Sequence, residues 1–217
     1  LSSFTEENYL KALYALSQQE DQVSISDLSA YLEVSKPSIN SMIKNLQAKG
    51  FVNYEKYKPI TLTEKGREIA ALVVRKHRLT EMYLVNQMGF GWEEVHNIAE
   101  QMEHIKSPAL FDRMDELMGH PKTDPHGSPI PDKNGKVQAQ SLTRMSECKP
   151  GQKVILVALD HSSNDFLSFL NSREIALGLE IELLAQESFD NSMIVRYSDK
   201  LNETLSGKVC ERLLVRY

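Results

Sequence analysis

The chain has 217 residues, 41% hydrophobic and 25% charged, with a net charge of -5, enough for one or two compact domains with substantial cores. No run approaches the ~18 apolar residues of a membrane span, and the opening Ser2, Ser3, Thr5, Glu6 and Glu7 do not form a signal peptide, so a cytoplasmic protein without a membrane partner is expected. Cys148 and Cys210 are far apart and outside any C-x-x-C pattern, which excludes a disulfide framework or zinc knuckle as the organising feature.

The chain opens at Leu1 rather than Met, so a few native residues are expected to be missing. Leu10, Leu13, Tyr14 and Leu16 fall at helical spacing behind a Thr5-x-x-Asn8 start, giving a first helix. Ser26 is the expected cap of a short second helix, Asp27 to Leu32. The turn Glu33-Val34-Ser35 leads to a third helix beginning at Lys36-Pro37. With Leu28, Ile39, Ile43 and Leu46 inward, this is a helix-turn-helix. Ser35, Lys36, Pro37, Ser38, Asn40, Ser41 and Lys44 start the third helix or lie on its outward side, where polar groups can reach base edges or phosphates.

After Gly50 the pattern changes to period two. Phe51 to Tyr54 and Ile60 to Thr63 read as strands joined through Lys56, Tyr57 and Lys58, a wing suited to lie along a DNA backbone. Between Ser35 and Lys76 nine Lys or Arg face three acids, a local excess of +6 within an acidic chain, as a phosphate-binding surface requires.

Helices are expected from Glu64 to Met88, Trp92 to Ile105 and Ala109 to Met118. At roughly 100° per residue, Glu100, Glu103 and His104 project into one sector with His96. His77 and Glu81 stack at i and i+4 on the preceding helix. Six imidazoles and carboxylates in this pattern suit a divalent cation held by N and O donors, such as Mn(II), Fe(II), Co(II) or Zn(II). For His77 and Glu81 alone, an ordinary ion pair on a helix face is an equal alternative. The apolar excess at Leu84, Val85, Met88, Phe90, Trp92, Leu110, Phe111, Met114 and Leu117 fits either a dimer interface or simple core.

A Pro and Gly-rich connector, Gly119 to Lys136, follows. Beyond Ser141 come strands at Lys153–Ala158, Glu180–Leu184, Met193–Tyr197 and Val209–Val215, with one helix, Asn164 to Asn171, which describes a small β-barrel. A metallohydrolase is disfavoured: the chain has no H-E-x-x-H and no separate nucleophile and base.

Tyr9-Leu10-x-x-Leu13-Tyr14, Ser35-Lys36-Pro37-Ser38-Ile39, Leu62-Thr63-x-x-Gly66, Arg75-Lys76-His77-Arg78-Leu79, Val95-His96-x-x-Ala99-Glu100-x-x-Glu103-His104 and Asp124-Pro125-His126-Gly127-Ser128-Pro129-Ile130-Pro131 together resemble the diphtheria-toxin-repressor family. The resemblance implies a mainly α protein with a small β part: a winged helix-turn-helix over 1–72, a helical metal-binding and dimerisation domain over 73–140, and an SH3-like domain over 141–217. It implies a repressor, not an enzyme, that Mn(II) or Fe(II) activates to bind a palindromic double-stranded DNA operator as a homodimer. A winged-helix regulator with a static structural metal is the alternative.

By the same resemblance Asn8, Glu100, Glu103 and His104 match the primary metal site, and His77, Glu81 and His96 the ancillary one, with Asp165 as a further donor. His126 is expected to be structural. Iron-type members carry Cys and Met where Glu100 and Asn8 stand, so this donor set is harder and leans toward Mn(II). Manganese-type members often carry Asp and Glu where Asn8 and Lys11 stand, and Lys11 would repel a second cation.

Overall fold

Helix α1 (Phe4–Ser17) is capped by Ser3, two residues before the Thr5 signal. Ser3 Oγ accepts from Glu6 N at 3.3 Å and Glu6 Oε2 accepts from Ser3 N at 3.0 Å, so two end donors are satisfied reciprocally. The cap of α2 (Ile25–Leu32) is likewise Ser24, with Asp27 closing the box, and Ser26 lies inside the helix. In the turn that follows, Glu33 takes a left-handed φ of 55°. Helix α3 (Lys36–Ala48) has Pro37 in its first turn, as predicted, but Ser35 does not cap it through its side chain and pairs instead with Ser38 Oγ at 3.0 Å.

The structure is a computed structural model that describes residues 2–18, 22–56, 58–138 and 140–217. The wing strands β1 (Val52–Asn53) and β2 (Thr61–Leu62) are shorter than their pattern suggested and pair antiparallel, Val52 opposite Leu62. Ile60 is diverted into a bridge with Val23, and Tyr57 lies outside the described residues. Helix α4 (Glu64–Met88) has the predicted bounds. Gly66 in its first turn is required by close approach, since a Cβ there would overlap the Phe51 carbonyl.

Helix α5 (His96–Met102) is half the expected Trp92–Ile105 span. Glu94 N donates to Gly91 O at 3.0 Å and Glu94 Oε2 accepts from Gly91 N at 2.7 Å, which makes 91–94 a turn. Glu103 N still reaches Ala99 O at 2.9 Å, but Ile105 N closes a tighter turn on Met102 O at 3.0 Å, so Glu103 and His104 sit at the helix exit. Helix α6 (Pro108–Leu117) completes the set.

The chain divides into two compact units: Leu1–Thr80 with Ile98–His120 and Ile130–Gln138, and Glu81–Asn97 with Pro121–Pro129 and Ala139–Tyr217. The boundary therefore falls inside α4 and α5. In the first unit Leu10, Leu13, Leu28, Ile39, Ile43, Leu46 and Ile60 are fully buried, as the helix-turn-helix pattern requires. Arg75 ties this unit together: its guanidinium donates to Asp115 Oδ2 and to the Pro131 carbonyl, both at 2.8 Å.

The second unit contains β3 (Thr143–Arg144), β4 (Lys153–Leu159), α7 (Asn164–Ser172), β5 (Glu180–Gln186), β6 (Met193–Tyr197), β7 (Lys200–Leu205), α8 (Gly207–Cys210) and β8 (Leu213–Arg216). Its six strands pair in the order β3-β8-β4-β5-β6-β7. Register shifts at Leu156/Ala158, Leu183/Ala185 and Val195/Tyr197 bend the strands, so the SH3-like sheet curls without closing into the expected barrel. The predicted Val209–Val215 strand is α8 followed by β8, and β3 and β7 are additions. Leu156, Leu170, Ile181, Val195, Leu213 and Val215 form its core. Cys210 is buried there, its thiol pushed up to about 12 by burial.

Candidate metal centres and nucleic-acid interface

In the first unit the capping box sets Glu6, Glu7 and Asn8 in consecutive positions of α1. Glu7 Oε2 lies 2.7 Å from His104 Nδ1, joining the start of α1 to the exit of α5. A proton on Nδ1 is donated to Glu7, which leaves Nε2 with a lone pair. That Nε2 is buried and lies 3.4 Å from Glu103 Oε1. Asn8 Oδ1, Glu103 Oε1 and His104 Nε2 are all buried without a hydrogen-bond partner among the described residues. Each such group costs about 1–3 kcal/mol, and a cation satisfies acceptors of this kind at once. The Phe4 ring packs against the His104 ring, with 3.8 Å between centroids.

The other oxygen of Glu103, Oε2, accepts from His77 Nδ1 at 2.6 Å and from Lys11 Nζ at 2.7 Å. Lys11 Nζ also reaches Glu100 Oε1 at 2.5 Å. Burial holds the nearby Lys76 ammonium below the usual lysine range, against the pull of Glu7 and Glu103.

In the second unit Glu81, Asp124 and His126 are all buried, with ligand atoms within 4.8 Å of one another. His126 Nε2 donates to the Trp92 carbonyl at 2.9 Å, so its Nδ1 lone pair faces Glu81 Oε2, 3.8 Å away. Asp124 Oδ1 accepts from His126 N and Ser128 N, each at 2.9 Å, which fixes the carboxylate. Gly127, at φ +86°, lies against β4 where any Cβ would overlap the Val157 carbonyl. His96 Nδ1 lies 3.4 Å from Glu81 Oε1, on a side chain 55% exposed. Asp165 is exposed in the first turn of α7, whose cap is Ser163.

On the DNA-reading unit, Ser35, Lys36, Pro37, Ser38, Ser41 and Lys44 are exposed, and so are Lys56 and Lys58 on the wing. Asn40 is half-buried: its Nδ2 donates to Lys36 O and its Oδ1 accepts from Tyr54 OH, both at 3.0 Å, tying the third helix to the wing. Lys58 pairs with Glu55 at 2.6 Å.

Three family descriptions match in succession: "Iron dependent repressor, N-terminal DNA binding domain" over residues 3–60, "Iron dependent repressor, metal binding and dimerisation domain" over 63–132, and "FeoA domain" over 143–217. The iron-dependent repressor IdeR of Mycobacterium leprae is 31% identical over 97% of this chain and 96% of its own length. The chain belongs to the iron-dependent repressor family. IdeR of Mycobacterium tuberculosis is 32% identical over 70% of each chain. A solved manganese-dependent transcriptional repressor in complex with manganese superposes with a TM-score of 0.85 at 31% identity, covering 97% of this chain and 98% of that one. This repressor is accordingly a metal-responsive DNA-binding regulator.

Within the repressor, His77, Glu100, Glu103 and His104 gather with α1, and His96 lies beside Glu81. Glu103 and His104 sit just past the end of α5, which stops at Met102. Sequence reasoning missed Glu7 as the partner of His104. The available signal was an acidic residue beside Asn8.

Proposed function

We propose that this repressor takes Mn(II) or Fe(II) at a primary centre formed by Asn8, Glu103 and His104, with Glu100 beside it, and so gains affinity for a palindromic operator as a homodimer. The observation that carries this reading is the trio of buried, unpartnered ligand atoms on α1 and at the exit of α5. Their N and O character, with no thiolate, suits Mn(II) or Fe(II). When bound, the cation supplies positive charge between acceptors that otherwise repel. Asn8 can contribute its amide oxygen only if α1 keeps its present position, so occupancy and the DNA-competent placement of α1 favour each other. Glu7 orients His104 for this task. Glu81, Asp124 and His126, with His96 nearby and Asp165 as a candidate further donor, form a second centre in the second unit. Leu117 and Met88, more than half exposed, are candidates for the dimer surface, while Leu84, Phe111 and Met114 are core.

The test is fluorescence anisotropy of the chelator-stripped protein on its own upstream DNA, titrated separately with Mn(II) and anaerobic Fe(II) at fixed salt. A metal-dependent rise is expected. Equal binding with and without metal would make the centre static and require a different signal.

A further inference from the structure

Lys11 stands on α1 one turn beyond Glu7 and Asn8, and its ammonium is set among metal-type donors rather than in solvent. Nζ lies 2.5 Å from Glu100 Oε1, 2.7 Å from Glu103 Oε2 and 3.2 Å from His77 Nδ1, on a side chain only 18% exposed. Two carboxylates thus converge on a charge that is covalently part of the chain, with the His77 ring beside them. The two oxygens of Glu103 have different company: Oε2 serves Lys11 and His77, whereas Oε1 lies 3.4 Å from His104 Nε2 and has no hydrogen-bond partner among the described residues. A carboxylate divided in this way can serve two cations, one on each side.

We propose that Lys11 is a tethered cation that fills the second of these positions, limiting the centre to one divalent ion. This rests on the reading that Asn8, Glu103 and His104 hold that ion. A second divalent ion would have to displace Lys11 from Glu100 and Glu103 and then stand against its charge at short range. The chain's own cation needs no association step, so it holds the position at every metal concentration that fills only the first. Lys11 is therefore a specificity-determining residue, setting how many ions the centre counts rather than binding one itself.

The test compares full-length wild type, Lys11→Gln, Lys11→Arg and His104→Ala, stripped and then equilibrated with Mn(II). Bound metal is counted by mass spectrometry, and the Mn(II) spectrum is recorded by electron paramagnetic resonance. Wild type and Lys11→Arg are expected to give only isolated-ion signals. Lys11→Gln is expected to bind an additional Mn(II) per chain and to show an exchange-coupled pair. An unchanged count and isolated-ion signals in a folded Lys11→Gln would overturn the proposal. So would an exchange-coupled pair in wild type that His104→Ala removes, a readout that does not depend on Lys11→Gln folding. His104→Ala is expected to lower the count. If it retains the wild-type count, the assignment of the centre fails first, and that outcome is distinguishable from an error about Lys11 alone.

Discussion

Glu6 Oε1 accepts from Lys49 Nζ at 2.5 Å, joining the first turn of α1 to the C-terminal end of the DNA-reading helix α3. Asn45 of α3 donates to the same oxygen at 3.2 Å. Glu6, Glu7 and Asn8 are consecutive, so one turn of helix addresses α3, His104 and the candidate cation. Any movement of α1 that carries Asn8 away from its present position also moves the hold on α3.

Glu6→Ala removes the hold without touching a metal ligand. DNA affinity at saturating Mn(II) is expected to fall about tenfold, equivalent to ~1.4 kcal/mol, while Mn(II) affinity changes far less. Isothermal titration with metal and anisotropy with DNA separate the two. Burial would raise the Glu6 carboxyl, but hydrogen bonds from Lys49, Ser3 and Asn45 outweigh it and hold it below its ordinary 4.5. Its contribution to stability is thus complete above pH 4.5 and is lost as pH falls through the depressed folded value. Thermal melts of wild type and Glu6→Ala should converge on the acid side of that range. A gap that persists there would contradict this linkage.

The three buried, unpartnered atoms of the proposed primary centre make a different prediction about Glu7. Glu7→Gln leaves the ligands in place but weakens the fixed proton on His104 Nδ1, so metal affinity is expected to drop ~10–100-fold. Glu103→Ala and His104→Ala should abolish metal-activated DNA binding with the fold retained. Competition against a fluorescent chelator measures the first and anisotropy the second. An unchanged metal response in either Ala variant would remove that residue from the centre.

How much of this could be read in the sequence depended on how local the cause was. Helix α4 carries its own bounds, and Pro37 announces α3. The cap of α2 was misplaced because Ser24 and Ser26 are both competent residues and only Asp27 at the right offset decides between them. Helix α5 was overextended because Trp92 and Val95 fit a helical apolar pattern, while the Gly91–Glu94 turn that overrides it is a local hydrogen-bond choice. Strand β7, Lys200–Leu205, has only Leu205 buried and exists because β6 offers it a partner. The clustering of imidazoles and carboxylates was legible from helical spacing, whereas the pairing of Glu7 with His104 and the place of Lys11 depended on tertiary contacts that no period encodes.

Arg75 and Asp115 show that a member of the basic run need not face DNA. Their side chains are 10% and 8% exposed, and the pair links α4 to α6. Asp115→Ala strands the guanidinium and is expected to cost about 3 kcal/mol, measured by urea unfolding, with Mn(II) affinity of the folded protein unchanged. Burial alone would raise the Asp115 carboxyl, yet hydrogen bonds from His120 and Arg75 hold it below its ordinary 3.8. The stabilisation is therefore present above that value and disappears as pH falls through the depressed one. A destabilisation that grows toward acid pH would reverse the sign and refute the assignment.

Lys44 on α3 and Lys56 on the wing are the clearest candidates for phosphate contacts, both exposed on the unit that carries the DNA-binding match. A lysine that neutralises one phosphate releases about 0.9 of a counterion on B-DNA. Lys44→Ala and Lys56→Ala should each reduce the slope of log affinity against log salt by about that amount. The loss should be nearly the same on operator and non-operator DNA, because a phosphate contact carries no base identity. Ser38 and Ser41, in contrast, are short, exposed on α3 and able to reach base edges. Their Ala variants should leave the salt slope intact and narrow the ratio of operator to non-operator affinity. Anisotropy at four salt concentrations on both DNAs distinguishes the two classes, and a lysine variant with an unaltered slope would place that side chain off the DNA.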